Sequence, residues 1–357
     1  MKLKGAEIIW ECLVREGVEV VFGYPGGANM PIYDAMLNYP VHHVLVRHEQ
    51  GGAHMADGYA RASGKVGVAM ATSGPGATNL VTGIATAMMD SVPVVFITGQ
   101  VAAHLIGGDA FQETDVTGIT LPITKHNYLV TRAEEIAETI REAFYIAKSG
   151  RPGPVLIDIC KNAQVESCEF EYPEEPVLPG YKPVTHSPRN LLDDAVKLIE
   201  KAKKPIILCG HGVIMSNAEE ELMQFAVKTQ TPVASTLLGL GAFPASHELS
   251  LGMMGMHGEA HTNLAIQNSD LILAFGMRFD DRVTGTLKTY APKARKIHIE
   301  IDPSEVHKNV FVDVPLVGDV KTVVADLIPL VDEYDHDEWM QDINGWKNVA
   351  DTRSILN

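Results

Sequence analysis

Apolar positions recur at helical spacing from Ala6 to Glu16, where Ile8, Ile9, Cys12 and Leu13 share one face. Val18 to Phe22 then reads as a strand and Tyr24-Pro25-Gly26-Gly27 as a tight turn. The spacing predicts a helix over Pro31 to Leu37, a short strand over Val44 to Val46, and a helix that carries small residues on the side that packs closely. Val66 to Ala71 reads as a buried strand, and Ser73-Gly74-Pro75-Gly76-Ala77-Thr78-Asn79 turns into a helix from Leu80 to Met89. A strand over Pro93 to Thr98, a helix over Glu134 to Lys148 and a strand over Val155 to Ile159 follow. Strands alternating with helices predict a doubly wound, mostly parallel sheet.

From Lys161 to Asn190 that rhythm stops. The stretch is polar and holds Pro173, Pro176, Pro179, Pro183 and Pro188, which reads as a semi-rigid linker. The pattern then resumes with helices over Leu191 to Ala202 and Ala218 to Thr229, and strands at Pro205 to Cys209, Pro232 to Ser235, Leu271 to Phe275, Lys296 to Ile301 and Val314 to Val317. The expected organisation is α/β throughout: a first parallel-sheet domain over 1–165, a linker over 166–189, a second such domain over 190–333, and an acidic, helical tail over 334–357 with Trp339 and Trp346.

A formal net charge of −16 disfavours nucleic acid or an anionic membrane surface as partner, while leaving room for a phosphate-bearing cofactor held by backbone N–H groups and a few Arg residues. Cys12, Cys160, Cys168 and Cys209 form no CxxC pair, so a reduced, cytoplasmic setting is expected. No apolar run approaches the ~18 residues of a membrane span. The first residues run straight into a helix, so neither a signal nor a transit peptide is expected.

Candidate chemistry gathers at strand ends. Glu49 stands where a strand passes into a helix, a place either for a proton-handling carboxylate or for an acid favoured by the helix dipole. The loop Ser73 to Asn79 is not a P-loop, because no Gly-Lys-Ser/Thr follows it. Ile106 to Asp115 leaves the Gly99-Gln100-Val101 strand end and carries Phe111 and Gln112. In the second half, Gly210-His211-Gly212, Thr236-Leu237, Met256-His257, Gly276-Met277-Arg278-Phe279-Asp280-Asp281-Arg282, Glu300 and Gly318-Asp319 all leave strands or loops where α/β folds bind ligands. Acids for ribose hydroxyls beside Arg and glycine for pyrophosphate suggest a dinucleotide, although any one of these segments is also an ordinary turn. His211, His257 and His261 lack a coherent carboxylate set, so no metal site is expected from these residues.

The segment Arg47-His48-Glu49-Gln50-Gly51-Gly52-Ala53-His54-Met55-Ala56-Asp57-Gly58-Tyr59-Ala60-Arg61-Ala62 resembles the cofactor-activating glutamate region of thiamine diphosphate enzymes, specifically the large catalytic subunits of acetohydroxyacid (acetolactate) synthases. The resemblance covers essentially the whole chain. It implies a pyrimidine-binding first domain and a Rossmann-like, FAD-binding central domain. Glu49 would activate thiamine diphosphate, with Gln112 beside it in the active site and Phe111, Lys161, Met256 and Arg282 lining a substrate channel. FAD would meet Arg151, Gly210, Gly212, Thr236, Leu237, His257, Gly276, Arg278, Asp280, Arg282, Glu300 and Asp319. The implied reaction decarboxylates pyruvate and transfers the hydroxyethyl carbanion to a second 2-ketoacid, on the route to branched-chain amino acids. A homodimer or tetramer with a regulatory small subunit is implied as well.

Departures from the family pattern are Ala102 where Pro is common, Gly108 where Thr is common, and Cys160 and Asn162 in place of the usual Pro and Asp. The family anchors diphosphate and Mg²⁺ through Gly-Asp-Gly and a later Asn-Asn, and neither occurs here. The pyrophosphate-binding domain with its Mg²⁺ site is therefore expected to be absent from this chain, which alone would be inactive. Glyoxylate carboligase lacks the activating glutamate. Pyruvate oxidase, a flavin-free catabolic synthase, or a non-catalytic FAD-binding module remain as alternatives.

Overall fold

The computed structural model describes the backbone of residues 1–352 and the side chains of residues 1–348. It divides into two compact units, one spanning Met1–Lys182 and the other from Pro183 onward.

In the first unit, β1 (Lys2–Lys4) is followed by six strands of one parallel sheet: β2 (Val20–Gly23), β3 (His42–Leu45), β4 (Gly67–Ala71), β5 (Val94–Gln100), β6 (His126–Val130) and β7 (Val155–Cys160). Their order is β3-β2-β4-β5-β7-β6. Central strands of a parallel sheet are covered on both faces, which explains why β4, β5 and β7 are near-continuous apolar runs. Alternate residues feed opposite layers. Val95, Ile97, Val155 and Ile157 join Trp10, Leu13, Ile140 and Phe144 on one face. Val94, Phe96 and Leu156 meet Ala53, Ala56, Ala60, Ile84 and Ala87 on the other. That second layer is built from small residues, so the helices Glu49–Ser63 and Val81–Asp90 lie close against the sheet.

The stretch read as a linker carries structure of its own. Its start forms the short helix Lys161–Val165, and β8 (Ser167–Glu169) pairs antiparallel with β1. Further on, the Tyr181 hydroxyl donates to the Ser149 carbonyl, and the Tyr172 hydroxyl to Glu16, within the first unit.

The second unit repeats the style with β9 (Pro205–Cys209), β10 (Val233–Ser235), β11 (Ser250–Met253), β12 (Leu271–Phe275), β13 (Arg295–Glu300) and β14 (Val314–Val317). All pairs are parallel, in the order β11-β10-β9-β12-β13-β14. Ile207, Cys209, Leu273 and Phe275 point into one layer, and Ile206, Leu208, Ile272 and Ala274 into the other. The expected tail helix is present as Asp337–Thr352. Trp339 and Ile343 on it are buried in the second layer, and the Trp339 indole donates to the Pro205 carbonyl at 3.0 Å, so this helix belongs to the second unit's core. All four cysteines are free thiols. Among the described residues no helix is long and apolar enough to cross a membrane.

Candidate functional site

The chain leaves β2 toward β3 on one side and leaves β4 toward β5 on the other. Loops that diverge in this way open a crevice at the carboxyl ends of the strands. Glu49 is the first residue of the helix that follows β3, a position the helix dipole favours for an acid. His48 caps that helix, its Nδ1 accepting from the Gln50 backbone N–H at 3.1 Å. The Glu49 side chain is half-buried. Its Oε2 accepts from Asn79 Nδ2 at 2.9 Å. Its Oε1 lies 3.3 Å from the point a Cβ on Gly76 would occupy, beside the Thr72 methyl. The carboxylate is thus fixed through one oxygen while the other stands at a floor kept open by the missing side chain of Gly76. A few residues away, the Tyr33 hydroxyl meets His43 Nε2 at 3.3 Å. Burial, reinforced by the charge on Glu49, pushes that phenol well above the usual tyrosine range.

Gln112 comes to the same neighbourhood. It adopts a left-handed backbone conformation, with φ at 58°, and its carbonyl oxygen would stand 2.5 Å from a Cβ on Gly74. Phe111, beside it, is 87% exposed and unpartnered by any apolar neighbour in the described core. Lys161 opens the helix after β7 and is exposed. Its neighbour Asn162, the departure from the family pattern, makes a structural tie: Oδ1 accepts from the Ala103 N–H at 2.9 Å, and Nδ2 donates to the Thr131 carbonyl. Cys160 is buried at the end of β7, and burial pushes its thiol up to about 11.

Under this edge of the sheet lies Asp158, 1% exposed, accepting from Thr98 Oγ1 at 2.6 Å and Gln100 Nε2 at 2.8 Å. Burial pushes its carboxyl up to about 6, the two hydrogen bonds pull it down, and the charge on Asp115 adds to the rise. An unfolded Asp titrates near about 4. Between these values the folded chain binds a proton that the unfolded chain does not, so Asp158 lowers stability progressively as pH rises across that window. The penalty is absent below it and complete above it. Relative to the Asp158→Asn protein, the native protein should therefore lose on the order of 3 kcal/mol between the bottom and top of the window. Urea unfolding of both proteins at each pH measures this, and parallel curves would contradict it.

The second unit has its own diverging point, between β9 and β12. A Cβ on Gly210 would overlap the Gly276 carbonyl, and one on Gly212 would stand 2.7 Å from the Gly276 Cα, so the two strand-end loops touch backbone to backbone. The rim continues on both sides. Thr236 N–H donates to the Cys209 carbonyl, Met256 N–H to the Arg282 carbonyl, and Gly318 N–H to the Glu300 carbonyl. Gly210, Gly212, Thr236, Leu237, His257, Gly276, Arg278, Asp280, Arg282, Glu300 and Asp319 consequently lie along the carboxyl edge of one sheet or in the loops leaving it. Arg282 Nη1 reaches Met256 Sδ at 3.6 Å, which joins the two channel candidates of this unit.

Several of these side chains have local tasks. Asp280 caps the short helix Asp281–Thr284, Asp319 caps Val320–Leu327 through the Thr322 N–H, and Thr236 accepts from the Gly239 N–H. Glu300, nearly buried, accepts from the Ile301 and Asp302 N–H groups. His211 donates from Nδ1 to the Leu238 carbonyl, while its Nε2 is buried with no hydrogen-bond partner. An orphaned polar atom beside a glycine-lined crevice fits a bound group that completes it.

Arg151 stands apart from Glu49. It precedes β7, at the amino edge of the first sheet, where its Nε donates to Ser91 Oγ at 2.8 Å. Sequence reading did not single out Asn79 as a partner of Glu49, or Tyr33, Asp158 and Gln100 as neighbours of the site. Thirty residues separate Glu49 from Asn79, and no local spacing signals their meeting.

A family model described as the N-terminal TPP binding domain of thiamine pyrophosphate enzymes matches residues 3–119, and one described as their central domain matches residues 192–327. Over 354 residues the chain is 50% identical to a probable acetolactate synthase large subunit of Methanocaldococcus jannaschii, covering 98% of this chain and 60% of that protein. Over 355 residues it is 50% identical to the acetolactate synthase large subunit of Haemophilus influenzae, covering 97% and 62%. It is 54% identical over 331 residues to an acetolactate synthase of Mycobacterium bovis, covering 92% and 54%. The chain therefore spans a little over half the length of the curated relatives it matches.

Proposed function

Because the chain belongs to the thiamine pyrophosphate enzymes, carrying their N-terminal and central domains, we propose that it is the Glu49-bearing part of an acetolactate synthase large subunit. The protein would decarboxylate pyruvate and transfer the two-carbon unit to a second 2-ketoacid, pyruvate or 2-ketobutyrate. Thiamine diphosphate supplies the carbon nucleophile when bound. The chain's own contribution centres on Glu49. With Oε2 fixed by Asn79, Oε1 is left as the acceptor that holds a proton for the cofactor's pyrimidine at the Gly76 floor. That split between one engaged and one available oxygen is the observation that carries the reading. Gln112, beside Gly74, and Phe111 would face the substrate from the same loop.

The residues along the β9/β12 crevice fit FAD, with close backbone approach at Gly210 and Gly276 and the unpartnered Nε2 of His211. It would act there as a bound group without net redox work. No residue here is assigned to Mg²⁺ or the diphosphate, because the Gly-Asp-Gly and Asn-Asn motifs do not occur in this sequence. A second copy of the chain in a homo-oligomer, a regulatory small subunit and a cytoplasmic setting complete the proposal.

The test is reassembly. The chain is combined with the part of the Haemophilus influenzae relative that it does not cover, and acetolactate formation from pyruvate is assayed with thiamine diphosphate and Mg²⁺. Turnover with a yellow, unreduced flavin is expected. Pyruvate-dependent flavin bleaching would favour an oxidase, and a colourless active protein a flavin-free synthase. A yellow protein inactive under all conditions would reduce the chain to a flavin-binding module.

A further inference from the structure

The chain from Val101 to Glu113 leaves β5 and returns to the sheet edge with its side chains exposed almost throughout, from His104 to Asp109 and again at Phe111 and Gln112. Beyond Val101 at its base, no buried apolar side chain anchors that span, so its course depends on polar ties. One is internal: the Glu113 carboxylate accepts from the Gly107 and Ala110 N–H groups. A second is the Ala103 N–H donated to Asn162. The third closes the loop at its base. Gln100, the last residue of β5 and 3% exposed, donates from Nε2 both to the Thr114 carbonyl at 2.9 Å and to Asp158 Oδ2 at 2.8 Å. Its Oε1 accepts from the Val101 N–H at 2.8 Å.

The ionised Asp158 only accepts, and Val101 N–H only donates, so between them they dictate which way the Gln100 amide is turned. With its NH₂ held toward Asp158, the second amide proton is aimed at Thr114. Asp158 is in turn held by Thr98 Oγ1. We propose that Gln100, oriented by Asp158, is a positioning residue: it clamps the 101–113 loop shut and so holds Gln112 against Gly74, with Phe111 beside it in the chain, for the acceptor 2-ketoacid. This rests on the synthase reading above for the substrate, though the clamp itself does not.

Two variants separate the parts. Gln100→Met keeps an unbranched side chain of similar length and removes every bond of the amide. Gln100→Glu keeps the shape, and in its protonated form has one proton to give where the amide has two, so it can serve Asp158 or Thr114 but never both. Hydrogen exchange of the 357-residue chain is followed by mass spectrometry at the amides of 103–113 and, for comparison, at β4 and the helix Ile136–Lys148. Both variants should exchange about tenfold faster in the loop with the comparison segments unchanged. Equal acceleration everywhere, or an unaltered loop in the variant that folds, would overturn the clamp. In the reassembled enzyme the variants should raise KM for the acceptor about fivefold or more while kcat holds within about twofold. A loosened loop with unchanged KM would overturn the positioning role. Failure of the synthase reading would look different: the unsubstituted reassembled protein would form no acetolactate, while the exchange result would stand.

Discussion

Glu49→Gln is expected to lower acetolactate formation by the reassembled enzyme by about a thousandfold, the middle of the range for losing a positioned acid–base group. The substituted side chain has the same shape, but only one of its two terminal atoms accepts a hydrogen bond. If that oxygen keeps the Asn79 contact now made by Oε2, an NH₂ group takes the place of Oε1 beside Gly76, presenting donors where the proton must be received. The fold has little stake in the exchange, because Glu49 is half-buried and makes one side-chain hydrogen bond. Its thermal unfolding should shift by no more than a surface substitution does, about 0.5 kcal/mol. Asn79→Ala offers a graded companion. It frees Oε2 without touching the charge, and a loss of about tenfold is expected from one hydrogen bond to a charged group. The measurements are steady-state rates and a thermal melt on each protein. A Glu49→Gln enzyme retaining half its activity would remove this residue from the chemistry.

The second large effect belongs to the other unit. Gly276→Ala should destabilise it by roughly 3 kcal/mol, combining the cost of a left-handed Ala with an overpacked contact. Gly276 sits at φ 57°, and a Cβ there would stand 2.6 Å from the Gly212 Cα, with backbone on both sides of the overlap. Neither loop can yield without separating the ends of β9 and β12, the point at which a flavin would be held. Loss of bound flavin is therefore expected together with loss of stability. Gly64→Ala serves as the control, because Gly64 is left-handed with φ at 70° and has nothing within 4 Å of its would-be Cβ. It should show only the conformational cost, about 1 kcal/mol. Chemical denaturation followed by circular dichroism, with visible absorption as the flavin readout, distinguishes the two. Equal destabilisation would mean that the crevice tolerates separation.

The buried strands could be read directly from the chain. Pro205 to Cys209 and Leu271 to Phe275 occupy the spans their apolar runs predict, because a strand covered on both faces has no polar alternation to obscure its ends. Strands that depend on a partner were missed. β1 and β8 are three residues each, partly exposed, and exist because Lys2 to Lys4 pairs with Ser167 to Glu169 across more than 160 positions. β6 is an edge strand whose His126, Asn127 and Tyr128 carry no apolar period. The helix Ala260–Asn268 is only weakly amphipathic, so no apolar period marks it, and Val320–Leu327 is short, its start signalled locally by the cap Asp319.

Glu49 at a strand-to-helix junction, and glycine with Arg at successive strand ends, are features of short-range spacing, and the residue order alone determined them. The order of the strands was a different matter. That β2 adjoins β4, and β9 adjoins β12, follows from how right-handed crossovers pack two apolar layers onto a twisted sheet, and no local pattern encodes which neighbours result. Those adjacencies bring Asn79 to Glu49 and Gly276 to Gly210, and the pairing of β5 with β7 brings Asp158 to Gln100. Composition and period fix what each segment is; burial shared between distant segments fixes which carboxylate oxygen is held and which is left to act.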